Sequence, residues 1–407
     1  MSAPAWFALA GLVATSEGPS AEGAPYSGAF SDVPAFHWRA ELPGPPLPTA
    51  SHTELAGPLL VGPHIYVGAA NHDALLVLER HSGRVVRRLE TSAPVQTMPV
   101  LSEGILYFSD TAGTTYAWPL GADAPRWAHP SRSPVVAPVG LAGDKVLVAD
   151  VDDVVVALDR ATGELLWRHA QKLDPTRHAA LQLYGATAPL VHGEWVLAGF
   201  SDGSIVGLDL ADGELAWSKR VGEGRYPDVL GAPVAHGKDF IVGAFTEPLV
   251  ALDQASRNVR WRVDAGGAWS PVLGGGDGPK PAPVLAGPHR WVFHSGADGK
   301  LRCVDAGSGA VAWVWDSGSG NALTAAVPTE AGLLVGSSGG SVFLVDTATG
   351  EQRWRWEPGF HPSGVTAAIA VEGRQAVLVT NAGVVTSFLV PPPARPAPDF
   401  ARRPGAP

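Results

Sequence analysis

The stretch ALDRATGELLW at residues 157–167 decides how the whole chain is read, because its last ten residues recur along most of the sequence. Clear copies end at Trp217, Trp261, Trp313 and Trp354, and weaker copies end at Arg87, where the Trp is missing, and at Trp127, where the Thr-Gly is missing. The copies follow one another at about 40 to about 52 residues, which is the period of propeller blades rather than of helical solenoids.

Each period contains the same series of short apolar segments. In the period that ends at Trp167, an Ala137-Pro138 segment precedes the apolar run Lys145–Ala149, a polar turn and a second run that ends in Leu158-Asp159. Pairs of apolar runs joined by Gly- and Asp-containing turns are typical of β-hairpins. The pattern predicts four strands per period.

The recurring phrase has a mechanical explanation. The Asp159 carboxylate can cap a tight turn, the Thr162 hydroxyl can support it, and Gly163 can adopt positive φ at little cost. The indole of Trp167 can then lie over the neighbouring blade and bury on the order of 200 Å². Because Asp159 recurs at the same turn in several periods, we interpret it as structural rather than catalytic.

The two ends of the repeat region are complementary. Val377–Leu389 supplies strands without a following Trp phrase, whereas Trp38 near the other end has no inner strands before it. Together they predict one blade made from both termini, and hence a closed all-β propeller of eight four-stranded antiparallel blades. We expect residues 1–35 to be a possible degenerate signal segment and flexible linker, 36–390 to be the propeller, and 391–407 to be a Pro-rich disordered tail.

Composition narrows the function. The net charge is −10 and basic residues form no stripe, so nucleic-acid binding is excluded. No apolar stretch is long enough to cross a membrane as a helix. We also expect the protein to be a monomer. The single cysteine, Cys303, excludes an intrachain disulfide and reads as a buried, inert thiol.

The N-terminal segment leaves the compartment open. Ala3–Ala14 has the length and apolarity of a signal-peptide core, but no Lys or Arg precedes it. Export to the periplasm or cell envelope and a cytoplasmic location therefore both remain. No cysteine follows the apolar core as the chain is written, so a lipid anchor is not expected.

The phrase A-x-D-x-x-T-G-x-x-x-W, present as residues 157–167, resembles the tryptophan-docking repeat of pyrroloquinoline-quinone (PQQ)-like propellers over residues 36–390. This resemblance implies the propeller fold. It leaves function open, because the family contains quinoprotein alcohol dehydrogenases, non-catalytic assembly factors and scaffold modules.

The sequences of two connections between blades resemble segments of the outer-membrane β-barrel assembly lipoprotein family. Leu181–Pro189 is similar to that family's Leu-x-Leu-Arg-Gly-x-x-Ala-Pro, and Asp228–Pro233 is similar to its Asp-Val-Asp-x-x-Pro. The resemblance implies that Leu181, Leu183 and Asp228 contact a protein partner, and we expect the same of Tyr184, which stands where the family has Arg. Leu230 likewise replaces the second Asp, so two charged groups that could orient a partner are absent. The alternative is that Leu181, Leu183 and Ala188-Pro189 merely lead into the next inner strand.

We therefore expect a non-catalytic platform that binds a protein through its long inter-blade connections in the cell envelope, without a cofactor. The aromatic residues of these connections could extend the contact surface or pack beneath their own loops: Tyr184, Tyr226, Trp269 and Phe360. The alternative is a small quinone-dependent dehydrogenase or a cofactor-binding relative, and only that alternative would bind PQQ and Ca²⁺. The resemblance also implies adjacent cysteines for such an enzyme, and a single cysteine cannot supply them.

No metal site is expected. The acidic run Asp150–Asp153 could in principle bind Ca²⁺, but its position at a hairpin tip predicts a solvated turn. The 13 histidines show no zinc-binding spacing, and only His178 and His361 lie in long connections. The glycine-rich Gly274–Gly278 does not lead into a helix, so it does not predict a phosphate site.

Overall fold

The structure is a computed structural model that describes residues 33–42, 55–172, 187–222, 227–229, 231–245, 248–264, 272–274, 290–357 and 364–392. Every regular element in these ranges is a β-strand, and the strands form eight four-stranded antiparallel sheets. The prediction of an all-β, eight-bladed propeller is confirmed. Within the same ranges no helix is long and apolar enough to cross a membrane.

The strands are numbered in chain order. Blade 1 contains β2 (Leu59–Val61), β3 (His64–Val67), β4 (Ala74–Glu79) and β5 (Val85–Glu90); blade 2 contains β6 (Val100–Ser102), β7 (Ile105–Ser109), β8 (Thr114–Pro119) and β9 (Trp127–Pro130); blade 3 contains β10 (Gly140–Ala142), β11 (Lys145–Ala149), β12 (Val154–Asp159) and β13 (Leu165–Ala170); blade 4 contains β14 (Leu190–His192), β15 (Trp195–Gly199), β16 (Ser204–Asp209) and β17 (Leu215–Arg220).

The second half of the ring repeats this plan. Blade 5 contains β18 (Val234–His236), β19 (Asp239–Gly243), β20 (Leu249–Asp253) and β21 (Val259–Val263); blade 6 contains β22 (Val272–Gly274), β23 (Trp291–Ser295), β24 (Lys300–Asp305) and β25 (Val311–Asp316); blade 7 contains β26 (Val327–Thr329), β27 (Gly332–Gly336), β28 (Val342–Val345) and β29 (Gln352–Trp356); blade 8 contains β30 (Ala370–Glu372), β31 (Gln375–Val379), β32 (Val384–Leu389) and β1 (Ala35–Glu41).

Burial explains the two kinds of strand pattern. A middle strand such as β12 is buried along most of its length, because both of its faces meet a neighbouring blade, and its sequence is nearly all apolar. The outer strand β13 is mostly exposed and buries Trp167 among its six residues. The core accordingly lies between blades, as where Leu147 and Val155 of blade 3 pack with Val196 and Val206 of blade 4.

Blade 8 closes the ring as the sequence predicted. Strand β1 pairs antiparallel with β32, and Trp38 lies opposite Ser387. Ala35 is the partner of Leu389 at one end of this pair, and Glu41 is the partner of Val384 at the other. The first and last strands of the propeller therefore share one sheet, in which β1 covers the edge that β32 would otherwise leave open.

The antiparallel course of the strands gives the disc two distinct faces. We call one the docking face, because it carries the turns between third and outer strands, such as Asp159–Glu164. We call the other the loop face, because it carries the hairpins between middle strands, such as Asp150–Asp153, and the connections from one blade to the next.

The recurring turn is built as expected. The Asp159 Oδ1 accepts hydrogen bonds from the backbone nitrogens of Ala161, at 2.9 Å, and Thr162, at 2.8 Å. The Thr162 hydroxyl donates to the same oxygen and accepts from the backbone nitrogen of Glu164. These hydrogen bonds, led by those from Thr162, hold the pKa of Asp159 below its usual value. Gly163 has a φ of 76°.

The tryptophans dock on the turn of the following blade. The Nε1 of Trp167 donates to the backbone oxygen of Leu210 at 3.0 Å, and its ring lies against Gly213. Four further junctions share this arrangement, with the Nε1 bonded to the residue after the turn's acidic residue: Trp38 to Arg80, Trp127 to Arg160, Trp261 to Ala306 and Trp313 to Thr347. The predicted indole contact between blades is confirmed at these positions.

Three junctions are different. Between blades 1 and 2, Arg87 stands in place of the indole and its Nη2 lies 2.8 Å from an oxygen of Asp123, which occupies the position of the docking glycine. Between blades 4 and 5 that glycine is replaced by Arg257, whose guanidinium carbon lies 4.4 Å from the centre of the Trp217 ring. Between blades 7 and 8, Trp354 meets Phe388 edge-on.

The docking contact can be tested with two glycines of matched conformation. Gly213 and Gly121 have φ of 75° and 78°, so alanine introduces similar backbone strain at both. A Cβ at Gly213 would lie 2.5 Å from the Trp167 ring, whereas one at Gly121 meets no described atom within 4 Å. We expect both substitutions to lower the unfolding free energy by about 1 kcal/mol, because alanine is strained at positive φ. Gly213→Ala should lower it by about 1 to 3 kcal/mol more, because the new methyl group overpacks the Trp167 ring.

Urea denaturation of the two single variants, followed by tryptophan fluorescence, measures the difference. Equal losses at the two positions would show that the indole contact does not constrain the turn.

Candidate functional site

The loop face carries the predicted partner-contact residues. Three of them, Leu181, Leu183 and Tyr184, lie outside the described residues. So do several other residues singled out in the sequence: His178, Tyr226, Leu230, Trp269, Gly275–Gly278, Phe360 and His361. Predictions on these positions stay predictions. The described residues next to them hold the ends of the connections in place.

Asp228 lies beneath the surface of the second connection. Its side chain is only 2% exposed, and its backbone oxygen accepts a hydrogen bond from the nitrogen of Phe245 at 2.8 Å. The adjacent Val229 is also buried, and its nitrogen donates to the backbone oxygen of Phe200 at 3.1 Å. In this position Asp228 fixes the base of its connection, and its role in contacting a partner remains a prediction.

Thr187 joins the ends of the two connections. It is fully buried, and its hydroxyl oxygen accepts a hydrogen bond from the backbone nitrogen of Gly199 at 3.1 Å. The hydroxyl proton has two acceptors at 2.9 Å, the backbone oxygens of Gly199 and Val229, of which it can serve one at a time. The end of the first connection, a middle strand of blade 4 and the second connection are thereby tied together.

The same device occurs elsewhere in the ring. The Thr97 hydroxyl accepts from the nitrogen of Ser109 at 2.9 Å and donates to its oxygen at 2.8 Å, and the Thr324 hydroxyl accepts from the nitrogen of Gly336 at 2.9 Å. This role of threonine was not predicted from the sequence. The available signal was the Thr two residues before proline in Thr97-Met98-Pro99 and Thr187-Ala188-Pro189.

The Asp150–Asp153 hairpin departs from its prediction. Asp150 and Asp153 are buried, at 9% and 4% exposure, so the expected solvated turn is wrong for both. The Asp150 Oδ1 accepts from the backbone nitrogens of Asp152, at 3.0 Å, and Val154, at 3.1 Å. Asp153 accepts from the nitrogen of Ser201 at 2.8 Å and from its hydroxyl. The carboxylates therefore hold the hairpin and attach it to blade 4.

The described part of the chain contains no group of three or more His, Cys, Asp or Glu side chains placed to hold a metal ion. Cys303 is fully buried, as expected, and burial raises the pKa of its thiol to about 12. A thiol with this pKa stays protonated at neutral pH, so Cys303 is unreactive.

The hairpin gives a pH-dependent contribution to stability. Burial raises the pKa of Asp150 to about 6, although the two backbone nitrogens favour the charged form. Because the folded pKa exceeds the unfolded one, this group stabilises the fold most below its unfolded pKa, and the contribution is lost as pH rises through about 6. Asparagine retains the acceptor oxygen but does not titrate. The unfolding free energy of Asp150→Asn, relative to that of the wild type, should therefore rise by about 1 to 2 kcal/mol between pH 5 and pH 8.

Urea denaturation at both pH values measures this gain. Asp212→Asn, at an exposed turn position, controls for the loss of one negative charge. A difference between Asp150→Asn and wild type that does not change with pH would contradict the assignment.

Three solved structures with this architecture are similar to this chain. BamB from Moraxella catarrhalis has a TM-score of 0.68 and 18% identity, covering 86% of this chain and 99% of its own. The computationally designed Ika8 protein has a TM-score of 0.67 and 17% identity, covering 87% and 99%. The quinohemoprotein alcohol dehydrogenase ADHIIG from Pseudomonas putida HK5 has a TM-score of 0.61 and 14% identity, covering 92% and 78%.

At these identities the three structures show the fold alone. No curated protein matches the sequence. The family model described as outer membrane protein assembly factor BamB matches residues 35–314 and 297–389, which is most of the sequence. The chain therefore belongs to the family described as outer membrane protein assembly factor BamB.

Proposed function

We propose that this protein is a non-catalytic propeller that binds a protein partner through its loop face in the bacterial cell envelope. The observation that carries the proposal is the Thr187 junction, which ties the two connections bearing the predicted contact residues to one another and to blade 4. Membership of the BamB family supports a role in binding and assembly.

The geometry suits a binding platform. The first connection leads from β13, whose Trp167 packs between blades 3 and 4, to β14, whose Leu190 packs between blades 4 and 5, so both of its ends are fixed. Gln171, at the start of the first connection, donates from its side chain to Asp202, at 3.0 Å, and to Ser204, at 3.1 Å, in the neighbouring hairpin. Loops presented by a rigid scaffold in this way commonly carry binding residues.

The proposed contact residues divide by chemistry. Leu181 and Leu183 would supply apolar anchors, and Tyr184 would add an aromatic ring with a polar tip, a residue type enriched in interface hot spots. Because Tyr184 carries no charge where the family's pattern has Arg, its partner need not offer an acidic group at that position. The buried Asp228 would act by holding the second connection in place.

Substitution of Thr187 tests whether the Thr187 junction positions the binding loops. Thr187→Val keeps the side-chain shape but leaves the Gly199 N–H without its acceptor, which should cost about 1 to 3 kcal/mol of unfolding free energy. Thr97→Val removes equivalent buried hydrogen bonds to Ser109 in another blade and should cost a similar amount. Partner recovery should fall only for Thr187→Val.

Both variants would be compared by urea denaturation and by affinity capture from envelope extracts, at a temperature where each is fully folded. Equal partner recovery by the two would show that the Thr187 junction does not position the binding loops.

Direct substitution of the apolar anchors tests the contact itself. We expect the double variant Leu181→Asp with Leu183→Asp to reduce recovery of the specific partner by about tenfold or more, because carboxylates would be desolvated in an apolar interface. The matched control changes Leu165 and Leu166 to Asp, since these are exposed at 50% and 45% on the outer strand of blade 3. Quantitative mass spectrometry of proteins captured from envelope extracts measures both.

Recovery of every partner at wild-type level by the Leu181 and Leu183 variant would overturn the assignment of this connection. Alcohol-dependent dye reduction by protein reconstituted with PQQ and Ca²⁺ would instead contradict the non-catalytic function.

A further inference from the structure

A cavity of about 600 Å³ opens on the docking face between blades 1 and 2. Its walls are largely apolar and include Val61, Tyr66, Leu89, Leu106, Trp118 and Leu120. Val86 and Leu120 are 40% and 37% exposed, so large apolar side chains at the rim of this groove face solvent. We call it the junction groove.

The junction groove lies where the ring lacks its usual indole. Arg87 occupies the position of the docking tryptophan, and Asp123 occupies the position of the docking glycine. The guanidinium of Arg87 bonds to Asp123 and to the backbone oxygen of Ala122. Such a polar contact does not fill the volume of an indole, which at the docking junctions is packed against the turn of the next blade.

The groove carries one positive charge. Its lining residues include Arg87 and the polar ring of His64, and no Asp or Glu. Asp123, the partner of Arg87, lies fully exposed beside the groove. An occupant that combines apolar side chains with acidic ones would match this lining, whereas a basic occupant would be repelled.

The start of β1 and the end of β32 both lie on the docking face. Ala35, at the start of β1, is paired with Leu389, at the end of β32. Strand β1 is also adjacent to blade 1, because Trp38 docks on the turn at Gly83. Blade 1 therefore separates the start of β1 from the junction groove. Phe30 and Tyr26 lie five and nine residues before Ala35, which an extended chain spans in about 17 Å and about 30 Å.

Charge distinguishes the two ends. Residues 17–32 contain Glu17, Glu22 and Asp32 and no Lys or Arg, together with the aromatic residues Tyr26 and Phe30. The stretch 393–407 contains three Arg and one Asp, so it matches the groove less well.

We propose that residues 17–32 bind in the junction groove, with Tyr26 and Phe30 against its apolar walls and the acidic residues towards Arg87 and His64. The segment would then occupy the docking face and supply the aromatic contact that this junction lacks. This arrangement directs the N-terminal part of the chain away from the loop face and leaves the loop face open. It does not depend on the proposed function.

Photo-crosslinking in the full chain tests the contact. Phe30 is replaced by the photoreactive analogue p-benzoylphenylalanine, and crosslinked peptides are mapped by mass spectrometry. We expect intramolecular crosslinks to residues 59–66 or 114–121. The same analogue at Phe400 should not crosslink to these residues. Crosslinks from position 30 to other parts of the ring, to a second copy or to no peptide at all would overturn the proposal.

Substitution of the groove provides a second measurement. Leu120→Asp places a carboxylate at the rim of the groove and should lower the yield of the position 30 crosslink about fivefold or more, through desolvation and repulsion of the acidic segment. Leu166→Asp, at an apolar position of similar exposure in blade 3, should leave the yield unchanged. Circular dichroism melting verifies that both variants are folded, and an undiminished yield for Leu120→Asp would contradict binding in the groove.

Discussion

An indole N–H that reaches a carbonyl of the next blade joins two sheets that exchange no strand-to-strand hydrogen bonds. Apart from the connections between them, neighbouring sheets meet through side chains, so each junction needs a contact that combines buried area with direction. Trp167 provides both, because its ring lies on the turn at Gly213 while its Nε1 bonds to Leu210. That turn is held in one conformation by the carboxylates of Asp209 and Asp212, which accept hydrogen bonds from the backbone nitrogens of Ala211 and Glu214.

The junctions that lack this contact show which part of it can be exchanged. Arg257 stands where the turn glycine is expected and keeps a positive φ of 60°. Its guanidinium carbon lies 4.4 Å from the centres of both the Trp195 and Trp217 rings. A cation over an aromatic face contributes attraction of its own, so the tryptophan remains packed although its docking site has changed. Between Arg87 and Asp123, in contrast, both partners have become charged and solvent has access to the space between the blades.

Much of this architecture could be predicted from one sequence because it is repetitive. The phrase at residues 157–167 specifies a strand end, a capped turn and a docking side chain, and its copies fix the number and size of the blades. The Arg87 copy was visibly irregular, but its partner Asp123 could be identified only once the facing turns were known. Asp150 and Asp153 were assigned to a solvated turn, since a sequence does not show that Ser201 of another blade covers that hairpin.

The candidate site was less predictable for a different reason. Residues such as Thr187 act through contacts between connections that are far apart in sequence. Its hydrogen-bond partner Val229 lies 42 residues further along the chain. The residues expected to meet a partner, Leu181, Leu183 and Tyr184, lie in a connection whose length and composition the repeat does not control. Those positions were predicted from the resemblance to a family, and the propeller holds the two ends of the connection in which they lie.

The pairing of Ala35 with Leu389 has a consequence for the ancestry of such rings. Because β1 begins beside the end of β32, a short linker between these two strands would make the propeller backbone continuous there, and a break at another surface turn would create new ends. The blade at which the encoded order begins is therefore not fixed by the ring, although the cyclic order of the blades is preserved. Circularly permuted relatives with the same disc are compatible with this geometry, and alignment of their genes from end to end would conceal the relationship.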